Sequence, residues 1–486
     1  MTKNSKFLLI RNIRGDWSLR LLYEFLSRNK FGNTFGYLDL SFKEYFPPYK
    51  HAPILISSRI REKFSNLILF KNPLVIIILR KILEDCTRFK SHSLSLGNFK
   101  ILIRLAIVKD SSKLANFYSG AIPYGRFVHT TLIAKYGVKH FRLNAFNRLS
   151  NILLIYRYLS AYQTTNNLVN IFNFSHIVLI NGRDACGVGA QLAAYVSKVN
   201  IITLEKGLLD SKIPMYSEWT GNMHHWQVRE NAVKATIDNH KNNLSQVDAL
   251  ETINSQFGST SKFWPTSQKK FVFNNSASAP FVVFFTTSER ETTTCPTGIV
   301  GANVFDDYDQ TLSLIELYKL TVELNLLLII RLHPNFKKNK KAKNELDYFL
   351  NLSKNWTNTK VISNNEPMDS YDLASKARAN FVFRSSLAAE LNSKGVNCYL
   401  LAPNGWSFTL QNKVLTTTSN LKNSLLSLNE TKIDKSGLEA NVCYLTNHSK
   451  NFKFITFVSN KDNKFDTFID QILLNIPRFK LRSSRA

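Results

Sequence analysis

The residues best suited to chemistry follow an apolar run at positions 327–335, which reads LLIIRLHPN. The run predicts a buried strand, and Arg331, His333 and Pro334 lie at the turn that leaves it. Proline stiffens the turn and fixes the direction of the histidine. A cation and a histidine at a strand exit can neutralise phosphate oxygens. A structural histidine is the competing interpretation, because a histidine followed by a proline is a short motif with many chance matches.

A second segment, at positions 381–395, reads FVFRSSLAAELNSKG and predicts a strand followed by a helix. Ser385 and Ser386 stand where this helix begins, and exposed amides at a helix N-terminus favour an anion. Glu390 follows about one helical turn later and is a candidate acceptor for ribose hydroxyls. Simple capping by the serines and solvent exposure of the glutamate are the competing interpretations. The two segments together predict a phosphate site for a nucleotide or a nucleotide sugar.

A hydroxyl-rich turn supports the same ligand class. It reads TTSERE at positions 286–291, directly after the apolar run FVVFF, and contains the candidates Thr287 and Ser288. An ordinary turn without a ligand is the alternative. The acidic run DDYD at positions 306–309 is interpreted as a cap for the next helix rather than as a metal site. We therefore expect neither a bound metal nor a cofactor.

Three carboxylates of the N-terminal half are candidates for a general base. Asp16 follows the first predicted strand, Asp184 lies in the run NGRDACGVG, and Glu205 ends another predicted strand. That run lacks the spacing G-x-G-x-x-G, so dinucleotide binding is not supported. A turn or cap carboxylate is the alternative at each of the three positions, and the sequence does not choose among them.

Strands and helices alternate in the second half of the chain, where the donor-site candidates lie. Strands are predicted at 281–285, 326–331, 360–362, 381–383 and 398–401, with helices at 309–324, 344–351, 370–377 and 387–394. This alternation is typical of a doubly wound parallel sheet.

The first half shows a looser version of the same pattern. Strands are predicted at 7–11, 67–70, 74–79, 101–108, 176–180 and 200–204, with helices at 19–27 and 146–165. The expected fold is α/β: two Rossmann-like domains whose parallel sheets face a central cleft, followed by a helical C-terminal tail. Ligands in such sheets bind at the carboxyl ends of the strands, where the candidate residues are predicted. The expected parts are an acceptor domain (1–226), a linker region (227–269), a nucleotide-sugar domain (270–415) and a tail (416–486).

The chain is strongly basic, with 63 Lys and Arg against 35 Asp and Glu and a net charge of +28. A nucleic acid, an acidic membrane surface or an anionic substrate would each suit this charge. Basic clusters occur at 337–343 and 478–485, and the second follows an apolar run suited to the inner face of a membrane. No nucleic-acid-binding module is recognisable, which argues against nucleic acid as a partner.

Cysteine usage and hydropathy predict a cytoplasmic protein. The five cysteines are widely and irregularly spaced, so neither a zinc site nor a disulfide framework is indicated. The most apolar region, 67–83, is interrupted by Lys71, Asn72, Pro73 and Arg80, which argues against a membrane span. The apolar run near the start is too short for a signal peptide.

The segment 281–401 resembles bacterial surface and capsule polysaccharide glycosyltransferases of the GT-B fold, including Kdo-transferase-like capsule proteins and CDP-glycerol polymer synthases. The segment starting INGRDACGVG resembles the acceptor domain of the same group. The His-Pro and Ser-Ser pairs also resemble CMP-binding elements of GT-B sialyltransferases, which implies phosphate contacts for His333, Ser385 and Ser386. The resemblance implies no metal at the donor phosphate. The acidic signature of those sialyltransferases is absent, so the resemblance does not identify the base.

The leading hypothesis is a cytoplasmic glycosyltransferase, associated with the inner face of the membrane, that transfers a sugar from a CMP- or CDP-linked donor. The acceptor would be a surface polysaccharide or a lipid-linked glycan. A non-catalytic GT-B-like scaffold and a basic nucleic-acid-binding protein are the alternatives.

Overall fold

The computed structural model describes residues 5–11, 21–22, 24–25, 28–29, 34–39, 87–89, 94–137, 139–206, 215–240, 280–289, 297–300, 308–333, 340–363, 366, 368–385, 387–393, 396–405, 407, 414–426 and 450–451. Within these residues the chain forms two units, each a sheet covered by helices. The first unit contains the sheet of seven strands, and the second unit contains the sheet of five strands.

The first sheet has seven strands in the order β12-β6-β5-β4-β1-β2-β3. They are β1 (Lys6–Arg11), β2 (Thr34–Asp39), β3 (Thr87–Phe89), β4 (His176–Ile180), β5 (Asn200–Lys206), β6 (Met215–Thr220) and β12 (Lys450–Asn451). The first five run parallel, whereas β6 and β12 pair antiparallel at one edge. Four consecutive residues of β1, from Phe7 to Ile10, are fully buried, as expected for a strand covered on both faces.

Helices of the first unit form successive layers over the sheet. They are α1 (Leu96–Ile107), α2 (Ser111–Ala115), α3 (Tyr124–Tyr136), α4 (Ala145–Phe172), α5 (Ala185–Ser197) and α6 (Trp226–His240). α5 contacts β4 and β5, α4 packs on α5, and α1 packs on α4. Gly189 permits the close approach of α4 and α5, because a Cβ at this position would collide with the carbonyl oxygen of Tyr158.

The second sheet has five parallel strands in the order β11-β10-β7-β8-β9. They are β7 (Phe281–Phe285), β8 (Leu327–Arg331), β9 (Thr359–Ile362), β10 (Ala379–Val382) and β11 (Cys398–Leu400). The helices of this unit are α7 (Gln310–Glu323), α8 (Lys340–Leu352), α9 (Ser370–Lys376), α10 (Leu387–Ser393) and α11 (Thr418–Leu426). Alternate side chains of β7 point to opposite faces, so Phe284 packs with α7 and α8 while Val283 packs with α9 and α10.

The expected α/β class, with two parallel sheets covered by helices, is confirmed. Two predicted strands, 176–180 and 281–285, have the observed bounds. The strand predicted at 101–108 is wrong, because these residues belong to α1. Its buried residues, Ile101, Leu102 and Leu105, recur at helical spacing, which is hard to recognise because the exposed residues Ile103 and Ile107 are apolar as well.

Several elements were missed or lie elsewhere. β2, β6 and α3 were not predicted, and Lys450–Asn451 pair as a strand in the tail that was expected to be mainly helical. The predicted strands at 67–70 and 74–79 lie outside the described residues, as does the basic cluster at 478–485. In the part of the chain that the structure describes, no helix is both long and apolar enough to span a membrane.

Candidate functional site

The second sheet has a topological switch point beside its first strand. β7 pairs with β8 on one side and with β10 on the other, and the connecting helices lie on opposite faces of the sheet. Ligands of open parallel sheets bind in the crevice at such a point, beyond the carboxyl ends of the strands. The turns after β7, β8 and β10 carry the predicted donor-site residues. The topology therefore places on neighbouring strands the turns that the sequence indicated.

Hydrogen bonds tie the turns after β7 and β8 to each other. The hydroxyl oxygen of Thr286 accepts the N–H of His333 at 2.9 Å, and the N–H of Thr286 donates to the carbonyl oxygen of Arg331 at 3.0 Å. His333 is half-buried beside this contact. The backbone of the predicted phosphate-binding histidine is thus fixed to the turn that carries Thr287.

Gln310, the first residue of α7, holds Thr287 from behind. Its Oε1 accepts the Thr287 N–H at 2.6 Å, and its Nε2 donates to the Thr287 carbonyl oxygen at 2.7 Å. The Thr287 hydroxyl is buried and has no hydrogen-bond partner among the residues that the structure describes. A phosphate or sugar hydroxyl that entered this turn would supply the missing partner.

Ser288 has a different environment from Thr287. Its hydroxyl donates to the buried carboxylate of Glu345, at 3.1 and 3.2 Å from the two oxygens. The same carboxylate accepts the N–H of Glu289 at 2.8 Å. A carboxylate directly behind Ser288 repels a phosphate, so the geometry favours a structural role for this serine.

The side chain of Arg331 donates its hydrogen bonds to the neighbouring loop. Its guanidinium is buried and donates to the carbonyl oxygens of Ser363 and Met368, the second at 3.3 Å. Burial lowers the pKa of this arginine. These bonds fasten the end of β8 to the connection between β9 and α9, which favours a structural role over the predicted phosphate contact.

Ser385 caps the backbone after β10, since its hydroxyl oxygen accepts the N–H of Leu387 at 3.2 Å. The helix that follows, α10, has seven residues, so its dipole adds little to anion binding. Pro334 and Ser386 lie outside the described residues, and Glu390 is in α10 with its side chain outside them.

Arg384, which the sequence reasoning did not single out, lies at the same strand exit as Ser385. Its guanidinium stacks over the ring of Tyr308 at 5.4 Å and over that of Phe383 at 5.2 Å. Arginine stacked on aromatic rings keeps its planar fork fixed in direction. A cation is therefore present at the switch point even though Arg331 is directed away from it.

The first sheet has a second switch point, where β1 pairs with β2 on one side and β4 on the other. Asp184 lies in the turn after β4 and is the N-cap of α5. Its Oδ1 accepts the N–H groups of Cys186 and Gly187 at 3.0 and 3.1 Å. Asp184 therefore caps a helix, as its competing interpretation predicted. Asp16, the other candidate base near a strand exit, lies outside the described residues.

The turn after β4 has an unusual backbone that a buried glutamine supports. Asn181 and Gly182 have positive φ angles of 58° and 83°. The Nε2 of Gln191 donates to the Gly182 carbonyl oxygen at 2.8 Å, and its Oε1 accepts from Asn222 at 2.9 Å. Gln191 thus supports this turn much as Gln310 supports the turn after β7.

Glu205 and His224 meet through Asn181. The Asn181 side-chain amide donates to the Glu205 carboxylate. The Nε2 of His224 lies 3.1 Å from the Asn181 carbonyl oxygen, which can only accept, so this nitrogen carries the proton. Burial, with Arg183 and Arg229 nearby, holds the pKa of His224 well below its ordinary value of 6.5. Its neutral ring therefore leaves Nδ1 as a buried acceptor, which has no partner in the described part of the chain.

An ion cluster joins the two units beside the switch point of the second sheet. Lys139 and His140, which follow α3, contact the Asp309 carboxylate at 3.0 and 2.7 Å. Lys139 also donates to the Tyr308 carbonyl oxygen at 3.0 Å. Burial alone would raise the pKa of Asp309, but the bond with His140 and the charge of Lys139 hold it well below its usual range. The bond with Asp309 in turn raises the pKa of His140.

Glu289 is a buried carboxyl close to this cluster. Burial and the neighbouring charge of Asp309 raise its pKa, while Gln310 donates to it at 3.2 Å. Two carboxyls with opposite pKa shifts thus lie at the boundary between the units. In the described residues, no three His, Cys, Asp or Glu side chains group closely enough to hold a metal ion.

Comparison with known proteins gives no family assignment. No family model and no curated protein sequence matches the chain. Among solved structures, UDP-GlcNAc 2-epimerase from Neisseria meningitidis bound to UDP-GlcNAc is 9% identical over 91% of this chain and 99% of its own, with a TM-score of 0.27. The Methanocaldococcus jannaschii UDP-GlcNAc 2-epimerase is 11% identical over 91% and 99%, with a TM-score of 0.27. A glycosyltransferase from Rickettsia africae is 9% identical over 92% and 94%, with a TM-score of 0.25. Similarities this weak assign neither a family nor a function to this chain.

Sequence reasoning missed the residues that support the two turns from a distance. Gln191 and Gln310 lie in helices that follow the strand exits, and a buried glutamine has no local pattern to mark it. His224 stands beside His225 after the missed strand β6, and this adjacent pair of histidines was the available signal.

Proposed function

We propose that the protein is a glycosyltransferase of the GT-B type that uses a nucleotide-sugar donor. The observation that carries the proposal is the switch point of the second sheet, where the Thr287 hydroxyl, unpaired within the described residues, lies between the strand exits that bear His333 and Ser385. A parallel sheet binds nucleotides at this place because the turns present hydroxyls and amides beyond the strand ends. The resemblance of the segment 281–401 to surface-polysaccharide glycosyltransferases supports the same function.

Each unit has its own part in the proposed reaction. The second unit holds the donor, with His333 and Arg384 near the phosphate and Thr287 as a hydroxyl contact. The first unit holds the acceptor, and Glu205 removes the proton of its hydroxyl group. The new glycosidic bond then forms as the bond between sugar and phosphate breaks, and the leaving phosphate carries the negative charge that His333 neutralises.

The finer features of the proposal are the identities of donor and acceptor. CMP- and CDP-linked sugars are the favoured donors, on the resemblance of the His-Pro and Ser-Ser elements to CMP-binding segments. A surface polysaccharide or a lipid-linked glycan is the favoured acceptor. The net charge of +28 suits an anionic acceptor.

Ligand-dependent melting tests the donor site. The intact protein is heated with CMP, CDP, UDP, GDP or a short single-stranded DNA, since a ligand that binds only the folded state raises the melting temperature. We expect one nucleotide to stabilise the protein, and the effect to weaken in Thr287→Val and in His333→Ala. Thr287→Val is the sharper variant, because its hydroxyl has no protein partner to lose.

Thr165→Val is the matched control, because Thr165 also has a buried hydroxyl that no described residue bonds, but it lies in α4 of the first unit. It should leave the nucleotide effect unchanged. Stabilisation by DNA alone would refute the proposal. Nucleotide binding that both site variants retain would place the donor site elsewhere. The protein is then incubated with the sugar conjugate of the nucleotide that raised the melting temperature, and the products are analysed. The products show whether the sugar is transferred to an acceptor or is converted while still attached to the nucleotide.

A further inference from the structure

Helix α1 carries an apolar stripe on the side that faces solvent. Leu96, Phe99, Ile103 and Ile107 are 73%, 48%, 49% and 60% exposed. Intervals of three and four residues place all four side chains on one helix face. Large apolar side chains that form a continuous exposed stripe usually mark a contact surface, whereas scattered ones do not.

The stripe is not needed for the packing of α1 within the protein. The opposite face of the helix carries Ile101, Leu102 and Leu105, which are buried in the core of the first unit. α1 packs on α4, α4 on α5, and α5 on the sheet, so α1 lies in the outermost of these layers. The helix therefore has one apolar face for the core and a second that is turned away from it.

Basic side chains flank the stripe. Lys100 and Arg104 are exposed and follow the stripe residues around the helix, and Lys109 and Lys113 continue the basic surface beyond its end. Asp110 is the single acidic residue between positions 94 and 113. Its carboxylate accepts two backbone N–H groups at the start of α2, at 2.8 and 3.3 Å. An apolar stripe bordered by cations matches a surface that is itself apolar beneath a layer of negative charge.

We propose that α1 binds the surface of an anionic lipid bilayer, with its axis in the plane of the interface and its stripe among the acyl chains. Amphipathic helices with basic flanks bind membranes in this way, and each nearby cation adds attraction to anionic lipids. The proposal does not depend on the reaction proposed above, because membrane binding is measured without substrate.

A second copy of the chain fits the stripe less well than a bilayer does. A helix of 12 residues is about 18 Å long and about 10 Å wide, so its face is far smaller than the roughly 800 Å² that each partner of a stable dimer buries. A two-fold contact through the stripe would also bring Lys100 and Arg104 close to their own copies, where like charges repel.

Vesicle cosedimentation of the full chain tests the proposal. The probes are vesicles of phosphatidylcholine alone and of phosphatidylcholine mixed with phosphatidylglycerol. We expect binding to the anionic vesicles that the double variant Phe99→Ser/Ile103→Ser weakens roughly tenfold or more, because two apolar side chains no longer leave water. Lys100→Gln/Arg104→Gln should reduce the preference for anionic vesicles. Leu350→Ser/Leu426→Ser, at exposed positions of the second unit, should bind like the unmodified chain.

Four results would overturn the proposal. The unmodified chain could fail to bind anionic vesicles, or the stripe variant could bind them as tightly as the unmodified chain does. A fall in the melting temperature of the stripe variant, without vesicle binding by the parent, would show that another part of the chain covers the stripe. Light scattering after size-exclusion chromatography provides the remaining test, since a dimer that the stripe variant abolishes would assign the stripe to a second copy.

Discussion

Replacing Gln310 with leucine should open the turn after β7 while leaving the rest of the second unit folded. The glutamine makes both side-chain bonds to the backbone of Thr287, at 2.6 and 2.7 Å, and is fully buried. Each buried peptide group left without a partner costs about 1–3 kcal/mol. Loss of both bonds should therefore destabilise the turn by roughly 2–6 kcal/mol, part of which the apolar leucine side chain offsets.

Hydrogen exchange followed by mass spectrometry measures this local effect. Exchange in peptides that span residues 281–289 reports the opening of the turn, since local openings determine the exchange of protected amides. A loss of about 2 kcal/mol corresponds to exchange about 30-fold faster at the Thr287 amide. The exposed residue Leu312 lies in the same helix, so Leu312→Ala is the control that should leave exchange unchanged.

The exchange pattern distinguishes local support of the turn by Gln310 from a general loosening of α7. Unchanged exchange at Thr287 in Gln310→Leu would refute the reasoning, because the turn would then be held by other contacts. Gln310→Glu should also speed exchange, since a carboxylate would face the Thr287 carbonyl oxygen and the carboxyl of Glu289. Faster exchange throughout α7 would instead indicate that the helix itself has loosened.

Three further predictions concern charge, hydrogen bonding and backbone geometry. His140, whose pKa is raised, contributes stability that is fully present below pH 6.5 and is lost as the pH rises through its raised pKa. Asp309, whose pKa is lowered, contributes stability that is fully present above pH 3.8 and is lost as the pH falls through its lowered pKa. Asp309→Asn should therefore lower the melting temperature most between pH 3.8 and 6.5. A melting temperature that depends on pH as it does in the unmodified chain would contradict the pairing of Asp309 with His140 and Lys139. His224→Gln keeps a side-chain N–H near the position of Nε2 and should preserve the melting temperature, whereas His224→Ala should lower it; equal melting temperatures would contradict the bond to the Asn181 carbonyl oxygen. Gly182→Ala should cost about 2 kcal/mol or more in denaturant unfolding because φ is 83°, whereas Gly97→Ala, where a Cβ meets open space, should cost nothing.

The sequence predicted strands well where the strand was buried on both faces. Positions 176–180 and 281–285 are continuous apolar runs bounded by polar residues, as expected for central parallel strands. The same signal failed at 101–108, because a helix with an apolar stripe on its exposed side also reads as an apolar run, broken here by Arg104 alone. Periodicity cannot distinguish the two when both helix faces are apolar.

The candidate site was predicted only in part, because local patterns show where a strand ends and not what its exit contacts. The sequence located the turns that carry Thr287, His333 and Ser385. It gave no sign that Arg331 turns toward the neighbouring loop or that Glu345 lies behind Ser288. These partners are tens of residues away along the chain, and their proximity depends on strand order and helix packing.

By itself, the sequence determined the α/β class, the positions of the central strands of both sheets and the strongly basic character of the chain. These properties follow from apolar runs, turn residues and composition, all of which are local or additive. The tertiary structure decided that β7 lies between β8 and β10, that Gln310 supports Thr287, and that Asp309 pairs with Lys139 of the other unit. The strand order and these long-range contacts depend on the packing of both sheets, because a long-range contact stabilises the fold only after the elements that carry it have come together.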